Sequence, residues 1–163
     1  MSVTSNSFPI PDIMNIRIIL IVFFSVIALT CAHEITYSAC GSPSGEVTKV
    51  DVHPCPRQPC KLKIGRNYKI QVTFTSKVQS QSSKAVVHGI IEGLPPVPFP
   101  FQNDDGCKSG IQCPIEGQKT YDYMVELPVK DYYPELELTI KWELRDDTGS
   151  NLFCIMFPVK IRK

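Results

Sequence analysis

Three sets of side chains in this 163-residue sequence are of types that carry chemistry: seven cysteines, three histidines and two pairs of adjacent carboxylates. The histidines, His33, His53 and His88, are scattered, and no HExxH, CxxC, GxSxG or P-loop pattern accompanies them. His88 stands among Val86, Val87, Ile90 and Ile91, where a neutral, hydrogen-bonded strand histidine is the plainer reading and a catalytic base the alternative. Asp104-Asp105 and Asp146-Asp147 sit among turn residues. Neighbouring turn carboxylates are normally solvated, so neither pair reads as an acid–base dyad. The expectation is a protein that is not an enzyme and holds no metal or cofactor.

The cysteines speak for structure and compartment. From Met14 the chain runs Asn15-Ile16-Arg17, then an apolar stretch from Ile18 to Leu29 broken only by Ser25, then Thr30-Cys31-Ala32. A basic start, a short apolar run and small residues at the end describe a secretory signal peptide, here residues 1–32, with 33–163 as one domain. Residues 1–13 are unusual ahead of such a signal, which makes Met14 a candidate start. Cleavage after Ala32 removes Cys31 and leaves six cysteines, whereas cleavage after Ala28 leaves an odd thiol. Six cysteines in a small secreted chain read as a disulfide framework. Cys55 with Cys60 and Cys107 with Cys113 look like locally closed loops, leaving Cys40 and Cys154 to join the ends, though spacing alone keeps other pairings open. A net charge of +1 gives no basic stripe for nucleic acid.

The other chemistry on offer is non-covalent. In Leu94-Pro95-Pro96-Val97-Pro98-Phe99-Pro100-Phe101, four prolines fix φ and remove N–H donors, so neither a helix nor a central strand continues there and the chain is expected to leave its sheet. Val97, Phe99 and Phe101 nevertheless recur at every second residue, where a water-facing loop is normally polar. Such a segment needs something apolar to cover: a core, a partner or a ligand.

The elements that must position it read as strands. Tyr68, Ile70, Val72 and Phe74 alternate with polar residues, as do Tyr121, Tyr123, Val125 and Leu127, and most cleanly Leu136, Leu138, Ile140, Trp142 and Leu144. Val50 with Val52, Ala85 to Ile91, and Phe153 to Ile161 supply three more, and no stretch shows convincing helical spacing. Short strands between Gly, Pro, Asn and Asp turns predict an all-β, immunoglobulin-like sandwich of two antiparallel sheets.

The tracts CGSPSG, HPCPRQPCKL, VTFTSK, SQSSKAVVHGI, PVPFP, DDGCKSGIQCPI, KTYDY, LPVKDYYPELEL and WELRDD closely resemble the sterol carriers of the ML lipid-recognition domain family, from about Cys40 to Ile161. The resemblance implies a secreted or lysosomal sandwich with an apolar lipid pocket between its sheets. Such a protein binds cholesterol or a related sterol, touches membrane surfaces transiently, and hands its cargo to a bilayer or to a membrane sterol transporter, the membrane-bound Niemann-Pick type C protein. It implies a monomer, and the pairings Cys40–Cys154, Cys55–Cys60 and Cys107–Cys113. Carried over by position, sterol-lining roles fall on Phe99, Val129 and Tyr133, with Pro128, Tyr68 and Trp142 nearby. Plain core packing is the competing role for each, because aromatic residues usually fill a sandwich. The pocket is expected to be an open hollow sized for a rigid four-ring guest.

The sequence also departs from these relatives. It carries an extra proline in Leu94-Pro95-Pro96-Val97, and Ile155 follows the last cysteine where vertebrate members have tryptophan. It holds no Asn-x-Ser/Thr sequon, so secretion is expected before lysosomal sorting. A recognition protein that binds bacterial lipid or another hydrophobic signal in innate immunity is the alternative within the same fold.

Overall fold

The computed structural model describes residues 34–99 and 101–163. The signal peptide expected over residues 1–32, with His33 and Pro100, lies outside them. The described residues form nine strands: β1 (Ser38–Ala39), β2 (Gly45–His53), β3 (Cys60–Lys63), β4 (Asn67–Ser76), β5 (Ser83–Ile90), β6 (Val97–Pro98), β7 (Thr120–Pro128), β8 (Glu137–Asp146) and β9 (Asn151–Arg162). The helical content among them is one 3-10 turn, Gly106–Lys108, whose start is capped by the Asp105 carboxylate accepting from Cys107 N–H.

Two sheets result, one ordered β2-β4-β7 and the other β1-β9-β8-β5-β6. The period-two stretches behave as expected. Tyr68, Ile70, Val72 and Phe74 on β4 and Tyr121, Tyr123, Val125 and Leu127 on β7 all turn inward, against Ile140, Trp142 and Leu144 of β8 and Phe153, Ile155, Phe157, Val159 and Ile161 of β9. The sheet interior is thus a layer of branched and aromatic side chains.

Two features depart from the sequence reading. β3 joins the second sheet beside β9 in parallel register, Cys60 opposite Val159 through Lys63 opposite Arg162, so that sheet is antiparallel except for this one ladder. β9 is long enough to hold β1 along its first part and β3 along its last. Pro158, which cannot donate to a ladder, falls at the junction between those two partners. The proline segment also does not leave its sheet. After a turn at Glu92-Gly93 it folds back, and Val97 and Pro98 pair with Gly89 and His88 as a two-residue edge strand, the position a sheet allows proline. The Phe99 N–H then donates to Val87 O at 2.9 Å.

The sandwich is fastened most heavily at the end where β8 turns into β9. The disulfide Cys40–Cys154 closes a separation of 114 residues there, while Cys55–Cys60 and Cys107–Cys113 close short loops. The buried Asp146 carboxylate accepts from Thr148 N–H (3.0 Å), Thr148 Oγ1 (2.6 Å) and Ser150 N–H (2.9 Å). Ser44 N–H donates to Asn151 O, and Lys77 N–H to Ser44 O, tying the start of β2 to the same turn. Burial pushes the Asp146 carboxyl up, but these hydrogen bonds and one from Ser44 outweigh it, so the group sits below its ordinary value. A carboxyl lowered on folding stabilises the native state above its unfolded pKa of about 4, and that contribution fades as pH falls through the folded value. Asp146→Ala is therefore expected to cost about 1–3 kcal/mol at neutral pH, as the donors it leaves lose their acceptor. In urea unfolding followed over a pH series, the gap between parent and variant should narrow below about pH 4.

Candidate functional site

At the opposite end the inward side chains stop meeting. Leu62 of β3, Val87 and Gly89 of β5, Leu127 at the end of β7, Leu138 and Ile140 of β8, and Val159 and Ile161 of β9 surround an internal slot between the sheets. Two loops close it. The segment after β6 contributes Phe99, and the β7–β8 connection contributes Val129 and Tyr133. The lining is apolar apart from the strand residue His88 and the phenol of Tyr133. Its free volume is only about 20 Å³, room for little more than one water molecule. The open, sterol-sized hollow expected from the resemblance is thus absent from this conformation: the apolar space lies where expected but is closed by its own side chains.

The closure is made by rings. Phe99 and Tyr133 meet edge to face with centroids 5.4 Å apart, and Tyr132 packs edge-on against Tyr133 at 4.9 Å. Burial first, and Tyr132 second, push the Tyr133 phenol up to about 12. Outside the ring pair lies an apolar groove of about 260 Å³, lined by Ile91, Val97, Pro98, Pro134 and Leu136 and sharing Gly89, Phe99, Tyr133, Leu138 and Ile161 with the slot. A second, more polar recess of about 220 Å³ lies on the other side of the rings, among Phe101, Gln102, Asn103, Glu126, Pro128 and Lys130. Phe99 and Tyr133 border all three spaces.

The loops that carry the rings are held differently. Val129 is fixed by two backbone hydrogen bonds, accepting from Gly65 N–H at 2.7 Å and donating to Arg66 O at 2.9 Å. These bonds tie the end of β7 to the turn between β3 and β4. The contact of Phe99 with Tyr133 is a ring contact.

Of the residues singled out from sequence, Phe99, Val129 and Tyr133 come together at the slot. Pro128 lines the polar recess instead. Tyr68 is buried, and its hydroxyl accepts from Lys63 N–H (2.6 Å) and donates to Lys61 O (3.1 Å), which pins β3 to β4. Trp142 lies deeper, fully buried, edge-on to Phe101 at 5.1 Å and to Tyr123 at 6.3 Å. Burial pushes the Tyr123 phenol up; the Trp142 indole N–H opposes that rise, yet neither atom completes a hydrogen bond. Leu62, Gly89, Leu138, Ile140, Ile161 and Tyr132 were not singled out. Leu138 and Ile140 sat in plain view on the inward face of an alternating strand, whereas Leu62 belongs to a strand too short to read.

The sequence pattern of the ML domain matches residues 34–161. The chain belongs to the ML-domain family. Among ML-domain relatives it is 55% identical, over 148 residues, to the NPC intracellular cholesterol transporter 2 of Danio rerio, covering 91% of this chain and 99% of that protein. It is 49% identical to the protein of the same name in Bos taurus, with the same coverage. Among solved structures, a Niemann-Pick type C2 protein from the Japanese carpenter ant superposes with a TM-score of 0.74 at 28% identity, over 78% of this chain and all of that one. Among the described residues, no group of three His, Cys, Asp or Glu is placed to hold a metal, and no helix is long and apolar enough to cross a membrane.

The ring packing is open to measurement. In Tyr132→Ala the Tyr133 phenol loses a neighbouring negative group and part of its cover, so it should titrate lower than about 12 in a spectrophotometric alkaline titration, yet above 10 while burial persists. An unchanged titration would place Tyr132 away from Tyr133.

Proposed function

We propose that this chain is a sterol-binding carrier that moves cholesterol or a related sterol between membranes or to a membrane sterol transporter. The observation that carries the reading is the ring-capped apolar slot between the sheets, opening on an apolar groove, in a chain that matches a protein named for cholesterol transport along almost its whole length. The work is non-covalent, and neither a cofactor nor catalysis enters it.

The closed slot sets the mechanism. Admitting a sterol requires Phe99 and Tyr133 to part and the facing apolar side chains to separate, which breaks dispersion contacts and no hydrogen bond of the lining. If the guest loses about 300 Å² of apolar surface, roughly 25 cal/mol per Å² returns on the order of 7–8 kcal/mol before association and opening costs. That magnitude competes with a bilayer without trapping the cargo. Because the lining is largely apolar, the sterol tail enters first and the hydroxyl stays at the lip. A sterol-bound structure with the hydroxyl at the inner end would refute this orientation.

The lip is also the proposed docking edge. Leu94, Val97 and Tyr132 are 56%, 47% and 75% exposed, large apolar side chains that cost less against a bilayer than in water. The partner is a membrane surface, or the membrane-bound Niemann-Pick type C protein, and the carrier acts as a monomer. Residues 1–32 act as a removed signal peptide, which sends the domain of residues 33–163 out of the cell, with the lysosome lumen as a further destination.

Two measurements test the reading. Phe99→Ala should bind a fluorescent sterol at least about tenfold more weakly while remaining folded, since it removes a ring from the cap. Unchanged affinity would remove Phe99 from the site. In a vesicle-to-vesicle assay, Leu94→Asp should slow transfer while equilibrium sterol affinity stays within about threefold, because this side chain lines neither the slot nor the groove. Competition of sterol against lipopolysaccharide separates the carrier from a bacterial-lipid recognition protein; preference for the latter would overturn the proposal.

A further inference from the structure

We propose that Gly89 and Leu138 form the threshold between the lip groove and the inner slot, and that this threshold admits a wide, rigid sterol, and not only a thin acyl chain, by leaving bare main chain where a side chain would stand. The inference rests on the sterol-carrier reading. Five residues border both spaces: Gly89, Phe99, Tyr133, Leu138 and Ile161. Two are the loop rings, and three stand on neighbouring strands, with Gly89 opposite Ile140 and Leu138 opposite Val159.

A glycine inside a strand weakens it, so its presence asks for a reason. Gly89 is paired on both sides, to Val97 and to Ile140, and its φ lies outside the left-handed region. The backbone therefore does not need glycine there. Space does. A Cβ built on Gly89 would stand 2.9 Å from Leu138 Cδ1, closer than real Cβ atoms approach, and would meet nothing else within 4 Å. Leu138 alone thus lies over the bare backbone of Gly89.

Leu138 is also free to give way. Its side chain is half-buried and stands between the slot and the lip groove of about 260 Å³, which offers it room to turn. An entering ligand can turn this flexible side chain aside, whereas main chain would not yield. With Leu138 displaced, the wall at Gly89 is flat, which suits the face of a fused ring system. A methylene chain is narrower and does not need that width.

The test compares dehydroergosterol with palmitate on purified protein, with thermal melts to establish that each variant is folded. Gly89→Val should weaken dehydroergosterol binding about tenfold or more while palmitate changes by less than about threefold, and adding Leu138→Ala should restore sterol binding by vacating the space the new side chain needs. Should Gly89→Val not fold, Gly89→Ala makes the same comparison in a smaller step, because its methyl asks only Leu138 to turn. Sterol binding that survives in the glycine variant, loss of both probes alike, or no recovery in the double variant overturns the threshold. Parent protein that takes up palmitate but no sterol overturns the carrier reading itself, and the threshold with it.

Discussion

The sandwich is fastened unevenly. At the end where β8 turns into β9, the Cys40–Cys154 disulfide, the Asp146 carboxylate and the backbone bonds around Ser44 hold sheets and connections together. At the other end the sheets meet through branched side chains and the edge-on contact of Phe99 with Tyr133. Hydrogen bonds are directional and fail over short displacements, while apolar contacts weaken gradually and can be exchanged for contacts with a guest. On the proposed carrier reading, this difference lets one end stay fixed while the other opens.

The opening end is itself asymmetric. On the side of β3, the Tyr68 hydroxyl and the two bonds of Val129 keep the edges of the sheets registered. On the side of β5 and β6, the closing loop returns as a two-residue edge strand whose prolines cannot donate to a further partner. On the proposed carrier reading, opening is therefore left to the side chains of Phe99 and Tyr133, and the hydrogen-bonded backbone serves as their frame.

The strands that face one layer of water and one of core were legible, because Tyr68 to Phe74, Tyr121 to Leu127 and Leu136 to Leu144 announce a period of two. β3 was not, since four residues after a disulfide loop give too short a pattern and its partner β9 lies about a hundred residues away in parallel register. The proline segment showed its need for apolar cover but not its return to the sheet edge, because that depends on a turn at Gly93 rather than on propensity. Phe99 came to notice through its place in the proline segment, Val129 and Tyr133 through the ML-family resemblance, and the three converge in space. Gly89 and Leu138 gave no such sign: one has no side chain, and the other looks like any inward leucine. Nor was the closed state of the slot legible, because sheet spacing depends on how facing side chains interlock, which alternation along one strand does not encode.

The near absence of free space in the slot has an energetic corollary. Holding open an empty apolar cavity of even about 300 Å³ would cost on the order of 7 kcal/mol at about 24 cal/mol per Å³. By letting its own side chains fall together, the unloaded molecule avoids that cost, so its empty and filled forms can lie close in free energy. If the chain is the sterol carrier proposed above, such nearly level states let it load from one membrane and unload into another with the sterol gradient alone setting the direction.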